Sequence, residues 1–306
     1  MYLPINNEML IKRLASKQGK IRMVLDTDTY NEVDDQFALV YALCSPEKIK
    51  VEAVYAAPFH NNRSADAGDG MEKSYSEIIR LLKVMGIPHE NFVFKGSDKF
   101  MQEKNQSVDS DAARDLIKRA MESEDDDPLY VAAIAAITNV ASAILMEPKI
   151  VNKIVVVWLG GQPLHWHNAM EFNLQGDIKA SQIAFDSGVP LVQIPCMGVA
   201  SHLLTSVPEL ERYLLGRNQI CDTLVKLFKA YNSDHFGWAK EIWDISAIAY
   251  LINSGWVSSS LVHSPILTDN YTYSFDKRRH FIRVATQIDR NAIFKDMFRK
   301  ITEYQD

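Results

Sequence analysis

The chain has 306 residues, 47% of them hydrophobic and 24% charged, with a formal net charge of −6. That composition marks an ordinary soluble globular protein with a sizeable core, and an acidic balance with no offsetting basic stretch excludes a general nucleic-acid binder. The longest apolar stretches, residues 130–137 and 154–161, are far too short to cross a membrane.

The N-terminal Met-Tyr-Leu-Pro-Ile-Asn-Asn-Glu carries no basic segment followed by an apolar one, so no secretory signal is expected. A strand at 21–26 leads into a helix at 34–44. Strand 51–57 precedes helix 64–85, strand 91–95 precedes helix 109–123, and strand 129–133 precedes helix 139–146. Strand 153–159, helix 179–187 and strand 190–194 continue the alternation. Such alternation predicts βαβ units, hence an α/β fold with a mostly parallel central sheet flanked by helices. The strands are apolar throughout rather than alternating, as strands covered on both faces should be. Residues 208–254 read as mostly helical, a hairpin-like pair follows at 261–273 and 279–288, and a helix at 291–304 ends the chain. No repeat or Pro/Gly/Ser linker divides the sequence, so residues 1–306 are expected to form a single domain. The run Glu122-Ser-Glu-Asp-Asp-Asp-Pro128 reads as a solvated helix exit. Cys44, Cys196 and Cys221 have no metal-like spacing and cannot all pair. Buried thiols acting as small hydrophobes in a reducing cytoplasm fit them best.

Chemistry concentrates at strand ends. Asp26-Thr-Asp28-Thr-Tyr-Asn31-Glu32-Val-Asp34-Asp35 joins the first strand to the first helix, the position where open α/β sheets bind ligands. Carboxylates this dense repel one another unless a cation neutralises them, and an all-carboxylate set suits Ca²⁺ or Mg²⁺ rather than zinc. The plainer reading is a solvated acidic turn with a helix cap. Four further segments follow strands or open helices: Pro58-Phe-His60-Asn61-Asn62-Arg63, Ile134-Ala-Ala-Ile-Thr138-Asn139, Gly160-Gly161 through Asn168, Glu171 and Asn173 to Asp177, and Trp243-Asp244. Thr138 or Asn139 could cap the next helix, and Asp244 alone reads as a cap too. The carboxyl ends of parallel strands share one rim, so these segments can converge on one cleft.

The order Asp-Thr-Asp…Asp34-Asp35, Ile-Thr-Asn, Gly-Gly…Asn…Glu-Phe-Asn and aromatic-Asp resembles the nucleoside hydrolases of the inosine–uridine-preferring superfamily. So does the late Gln287-Ile-Asp289-Arg290-Asn-Ala-Ile-Phe294, which extends the likeness from about residue 21 to 302. The resemblance implies hydrolysis of the N-ribosidic bond of ribonucleosides, with a small-molecule nucleoside as partner, no nucleic acid, no membrane, and a homo-oligomer (dimer or tetramer). It implies Ca²⁺ held by Asp28, Asp35, Asp244 and the main-chain carbonyl of Ile134, with Asp28 also the base for the attacking water. Asp34 would take the ribose 2′-hydroxyl, Asn168 and Glu171 the 5′-hydroxyl, and Asn173 a ribose hydroxyl. Asp26 would orient the loop, and Asn61 or Asn62 would supply an asparagine of the second strand's exit. Such chemistry builds positive charge on the ribose, which surrounding carboxylates stabilise.

Three departures stand out. Five residues rather than three separate Asp28 from Asp34, so Asn31 or Glu32 is available as a ligand or substrate contact. The segment from Asn168 to Glu171 is short. Trp243 occupies the place of a histidine that acts on the leaving group in many members, as in purine-preferring members, hence an expected purine preference and a role in purine salvage. Two alternatives compete: a non-catalytic Ca²⁺-dependent nucleoside-binding protein on the same scaffold, and a haloacid-dehalogenase-like phosphohydrolase with Asp26 as nucleophile. The latter leaves Asp34-Asp35, Glu171-Phe-Asn173 and Trp243-Asp244 without a use. His60, His165, His167 and His235 fall in segments expected near the cleft; His89, His202, His263 and His280 do not.

Overall fold

The structure, a computed structural model, describes residues 6–15 and 19–305. The first five residues of the N-terminal segment read above for a signal lie outside them. A first helix, α1 (Asn7–Leu14), capped by the Asn6 side chain, was not expected from the sequence. Then come β1 (Ile21–Thr27), α2 (Asp34–Leu43), β2 (Ile49–Ala56), α3 (Ala67–Val84), β3 (Val93–Lys95) and α4 (Asp111–Met121). The alternation continues with β4 (Leu129–Ala133), α5 (Thr138–Met146), β5 (Ile154–Leu159), α6 (Phe172–Gly176), α7 (Ile178–Asp186) and β6 (Leu191–Ile194). Next are β7 (Leu204–Thr205), α8 (Val207–Tyr213), α9 (Gln219–Tyr231), β8 (Lys240–Glu241) and α10 (Ile245–Ile252). The chain closes with β9 (Val257–His263), β10 (Ile266–Leu267), β11 (Tyr273–Ser274), β12 (Phe281–Ile288) and α11 (Arg290–Glu303).

Eight strands form the central sheet in the order β3-β2-β1-β4-β5-β6-β12-β9. Every neighbouring pair is parallel except β12 with β9. The α/β reading with a mostly parallel sheet therefore holds. The expected hairpin is displaced: β12 pairs with residues 257–263, whereas β10 and β11 form a separate two-stranded ribbon. The Ser-Ser-Ser centre of β9 gave no apolar run to recognise.

Successive side chains of a strand point to opposite faces, and both faces here are covered. Met23, Leu25, Val54, Ala56, Tyr130, Ala132, Val155 and Val157 join one core with buried residues of α2, α9, α10 and α11. Val24, Ala53, Tyr55, Val131, Val156 and Trp158 join the other with α4, α5 and α7. This explains the near-continuous apolar runs. Strand order reverses between β1 and β4, since β2 and β3 lie to one side and β4 to β6 to the other. That is the topological switch point, where a crevice opens outside the carboxyl ends of the strands. Among the described residues no helix is long and apolar enough to cross a membrane.

Candidate active site

At that switch point β1 runs straight into the acidic loop. A turn between Asp28 O and Asn31 N (2.7 Å) folds it back, and α2 begins at Asp34 with no side-chain cap. Asp34 and Asp35 thus occupy its first turn, where the helix dipole favours negative charge. Thr27 Oγ1 donates to Asp35 Oδ1 at 2.5 Å. Asp244 stands at the cap position of α10 but caps nothing. The Asp35 carboxyl lies within hydrogen-bonding reach of both Asp244 and Asp28. Carboxylate oxygens of Asp34, Asp35 and Asp244 all lie within 4.8 Å of one another. All four aspartates are at most 4% exposed.

Burial pushes these acids up. Desolvation lifts Asp35 to about 6 although hydrogen bonds from Thr27, Asp244 and Asp28 pull it down. Asp28, Asp34 and Asp244 rise well above their ordinary range, first by desolvation and then by the charges of neighbouring aspartates and Glu32. Asp28 Oδ2 has no hydrogen-bond partner. An orphaned buried oxygen beside three mutually repelling carboxylates, all hard oxygen donors, fits a divalent cation of the Ca²⁺ or Mg²⁺ kind. The converging trio contains Asp34 where the sequence suggested Asp28, while Asp35 and Asp244 belong to both sets.

A cavity of about 250 Å³ opens over this floor, lined among others by Asp28, Asn31, Glu32, Asp34, Asp35 and Ile134. Its remaining wall includes Leu159, Gln162, Glu171, Phe172, Asn173, Cys196, Met197, Trp243 and Asp244. A larger hollow of about 440 Å³ lies under the opposite ends of the strands, bounded by Arg13, Tyr130 and Lys300, and no motif residue reaches it.

Glu171 caps α6, its carboxylate accepting from the amides of Gly161 (2.8 Å), Asn173 (2.9 Å) and Leu174 (3.1 Å). The Cys196 thiol also touches it, so this cysteine is part of the cavity wall as well as a buried small group. Asn173 Nδ2 donates to Leu159 O at 3.0 Å. Gly161 has φ +71°, and a Cβ there would meet Tyr273 Oη at 2.6 Å and Leu174 at 2.8 Å, which is why glycine follows β5.

Asp26 sits behind the floor, fully buried, accepting from Asn139 Nδ2 at 2.8 Å. Burial raises it to about 7. Asn139 Oδ1 in turn accepts from Ser97 N and Oγ, and Thr138 Oγ1 donates to Asp177. Neither Thr138 nor Asn139 caps α5, whose cap position is Ile137; both tie neighbouring strand exits together instead.

Two of the expected residues do not line the cavity. Asn168 is exposed, and its carboxamide oxygen accepts from Met170 N (2.8 Å), because the short segment before Glu171 turns there. Asn61 is half-buried and donates to Asn31 Oδ1 at 2.7 Å, reaching the site through that loop. His60, His165 and His167 are exposed, and none of the eight histidines lines the cavity. Gln162, Cys196 and Met197 were missed, although the rule that ligands gather at strand carboxyl ends could have found them after β5 and β6.

A family model described as inosine-uridine preferring nucleoside hydrolase matches residues 23–295. The chain is similar to the pyrimidine-specific ribonucleoside hydrolase RihA of Klebsiella pneumoniae, 28% identical over 240 residues, 69% of this chain and 72% of the relative. Among solved structures, a plant nucleoside hydrolase, PpNRh1, superposes with TM-score 0.73 at 16% identity, covering 92% of this chain and 99% of its own. The purine-preferring ribonucleoside hydrolase from Gardnerella vaginalis gives TM-score 0.69 at 20% identity, covering 92% and 98%. These findings set aside the phosphohydrolase alternative. The match of the family model over residues 23–295, on a sheet whose switch point gathers four buried carboxylates, places the chain in the inosine–uridine preferring nucleoside hydrolase family, as an N-glycosyl hydrolase of ribonucleosides.

Proposed function

We propose that the protein hydrolyses purine ribonucleosides in a Ca²⁺-dependent reaction, giving ribose and free base, with Asp28 as general base. The observation that carries this reading is the unpartnered, buried Asp28 Oδ2 beside Asp35 at the floor of a cavity walled by Glu171 and Asn173. Asp35, Asp244, Asp28 and the Ile134 carbonyl would hold the cation. When bound, it neutralises the carboxylates and acidifies and positions the attacking water.

The chain's own residues do the rest. Asp28, whose Oδ2 faces the cavity floor without a hydrogen-bond partner, takes the proton of the attacking water. Asp34 accepts from the ribose 2′-hydroxyl. Glu171 is braced by three backbone amides and so is pre-organised to accept from the 5′-hydroxyl, and Asn173 keeps its oxygen for a ribose hydroxyl. The ring of carboxylates stabilises the positive charge that develops on the sugar. Trp243, half-buried at the wall, stacks on the flat base. Three buried cysteine thiols suit a reducing cytoplasm, and the reading extends to a dimer or tetramer, which light scattering checks.

Ribose released from inosine, followed by a reducing-sugar assay with Ca²⁺ and with excess EDTA, is the direct test. Release that is unaffected by EDTA removes the metal from the reading. A site built to bond a hydroxyl rejects an analogue lacking it. Comparable kcat/KM for inosine and 2′-deoxyinosine would therefore remove Asp34 from its role.

A further inference from the structure

The lengthened loop between Asp28 and Asp34 carries Glu32, a residue of the cavity wall that takes no part in the chemistry above. The cavity is graded by depth: Asp28, Asp34, Asp35 and Asp244 form the floor at no more than 4% exposure. Around the mouth stand Glu32, with its side chain 36% exposed, Met197 at 42%, and the half-buried Trp243 and Phe172. A ribose seated on the floor leaves its base among these four side chains.

Three of the four are apolar or aromatic. Glu32 is the charged one, and it is held in place. Lys240 Nζ binds Glu32 Oε2 at 2.5 Å. That lysine is 8% exposed and lies 4.6 Å from the centre of the Tyr231 ring. The preceding Asn31 is fixed by Asn61 Nδ2 (2.7 Å) and by Arg63 Nη1 on its carbonyl (3.1 Å). Glu32 Oε1 has no hydrogen-bond partner among the described residues. Gln162, another long polar side chain of the wall, is used at both ends, by Met170 O and Met197 N, and Glu171 is taken by three backbone amides. A clamped carboxylate only accepts hydrogen bonds, and the adjacent ammonium offsets its charge beside a departing base.

We propose that Glu32 determines base specificity by accepting a hydrogen bond from the ring N1–H of a 6-oxopurine, selecting inosine and guanosine. The proposal rests on the reading of this site as a purine ribonucleoside hydrolase. It separates Glu32 from the metal carboxylates next to it in sequence. Aromatic side chains grip any flat base; the carboxylate asks for a donor at one ring position.

N1-methylinosine keeps the shape and glycosidic bond of inosine but lacks that donor. The wild-type protein, in saturating Ca²⁺, should favour inosine over 1-methylinosine in kcat/KM by roughly 10- to 100-fold, the size of one hydrogen bond to a charged group. In E32Q the amide oxygen turns to Lys240 and the NH₂ faces the base, so the ratio should fall to about one and adenosine, with an acceptor at N1, should gain. E32A should also lose the ratio, without the gain for adenosine. A ratio kept in both variants overturns the proposal, and so does a Ca²⁺ requirement raised about tenfold or more in E32Q, which would make Glu32 a metal ligand. If the wild-type protein releases no ribose from inosine while hydrolysing uridine, the purine reading fails and the proposal falls with it, a result distinct from an unchanged ratio.

Discussion

The strand β1 has acidic clusters at both ends, and they are built on opposite principles. At its amino end Arg22 grips Glu52 with two hydrogen bonds, at 2.9 and 3.0 Å, and Lys50 adds a third contact at 3.0 Å. Arg119 pairs with Asp115 at 2.6 Å, and the Tyr55 hydroxyl donates to the same carboxylate. Burial alone would push Glu52 up, yet Arg22 and Lys50 hold it below its ordinary value. At the carboxyl end Lys240, already bound to Glu32, offsets part of the charge on Asp34, yet Asp28, Asp34, Asp35 and Asp244 are all pushed up. Structural acids are neutralised by the chain's own cations. Acids whose charge the fold leaves uncompensated are kept for something that arrives later, and that contrast marks a site without reference to motifs.

The contrast breaks most visibly in catalysis. Asp28→Asn keeps the shape of the floor but removes the base and one oxygen donor. Loss of a positioned general base typically costs about 10² to 10⁴ in rate, so kcat on inosine should fall by about a thousandfold. A variant within tenfold of wild type, measured at saturating Ca²⁺, would remove Asp28 from the chemistry.

Stability should respond to pH in opposite senses with and without metal. The unfolded chain releases the Asp35 proton near its ordinary 3.8, whereas the folded metal-free protein keeps it until about 6. The folded state then binds more protons across that window, so this contribution is present below pH 3.8 and is lost as pH rises through 6. The difference is on the order of 3 kcal/mol at neutral pH. Asp35→Asn should therefore stabilise the EDTA-treated protein at pH 7 and not at pH 4, while in Ca²⁺ it should be the less stable form. Urea unfolding at the two pH values reads both signs; a variant less stable than wild type in EDTA at pH 7 contradicts the argument that burial penalises the Asp35 carboxylate.

The other cluster should behave conventionally. Arg22→Ala leaves Glu52, 6% exposed, with Lys50 at 3.0 Å and Arg119 at 3.8 Å. Removing a charged partner of a buried group costs roughly 1–3 kcal/mol, lowered here by the two remaining cations. The loss should be equal in Ca²⁺ and in EDTA, and a Ca²⁺ midpoint shifted by this substitution would tie the two ends of β1 together.

Much of this was legible in the sequence where periodicity and strand ends carry it. The parallel strands and most helices fall within a few residues of where the apolar runs put them, because strands covered on both faces cannot hide. Side-chain roles were harder to read. Thr138, Asn139 and Asp244 have the residue types of helix caps and stand at or beside cap positions, but their side chains turn inward to Asp177, Asp26 and Asp35. One dimension cannot distinguish a cap from a ligand when the same residue types serve both. Glu32 is the converse case: the extra loop residues were visible, but the lysine that fixes them lies 208 positions away. Asn168 stood in the right motif order, yet the turn that exposes it is set by three-dimensional packing of a short segment.

The smallest effect concerns Trp243, whose indole stands at the mouth and also packs against the core under α10. An indole nitrogen is a donor only and cannot deliver a proton as imidazole can. It can stack on a purine and favour the ring's protonated form, worth on the order of 1–2 kcal/mol when desolvated. Trp243→Ala should then lower kcat on purine nucleosides by about tenfold, and spare p-nitrophenyl riboside, whose leaving group needs no protonation. Trp243→Phe keeps a ring without the indole and should recover part of the purine rate. If Trp243→Ala slows both substrates equally, the indole is a buttress for Asp244, and the purine preference must come from the other residues of the mouth.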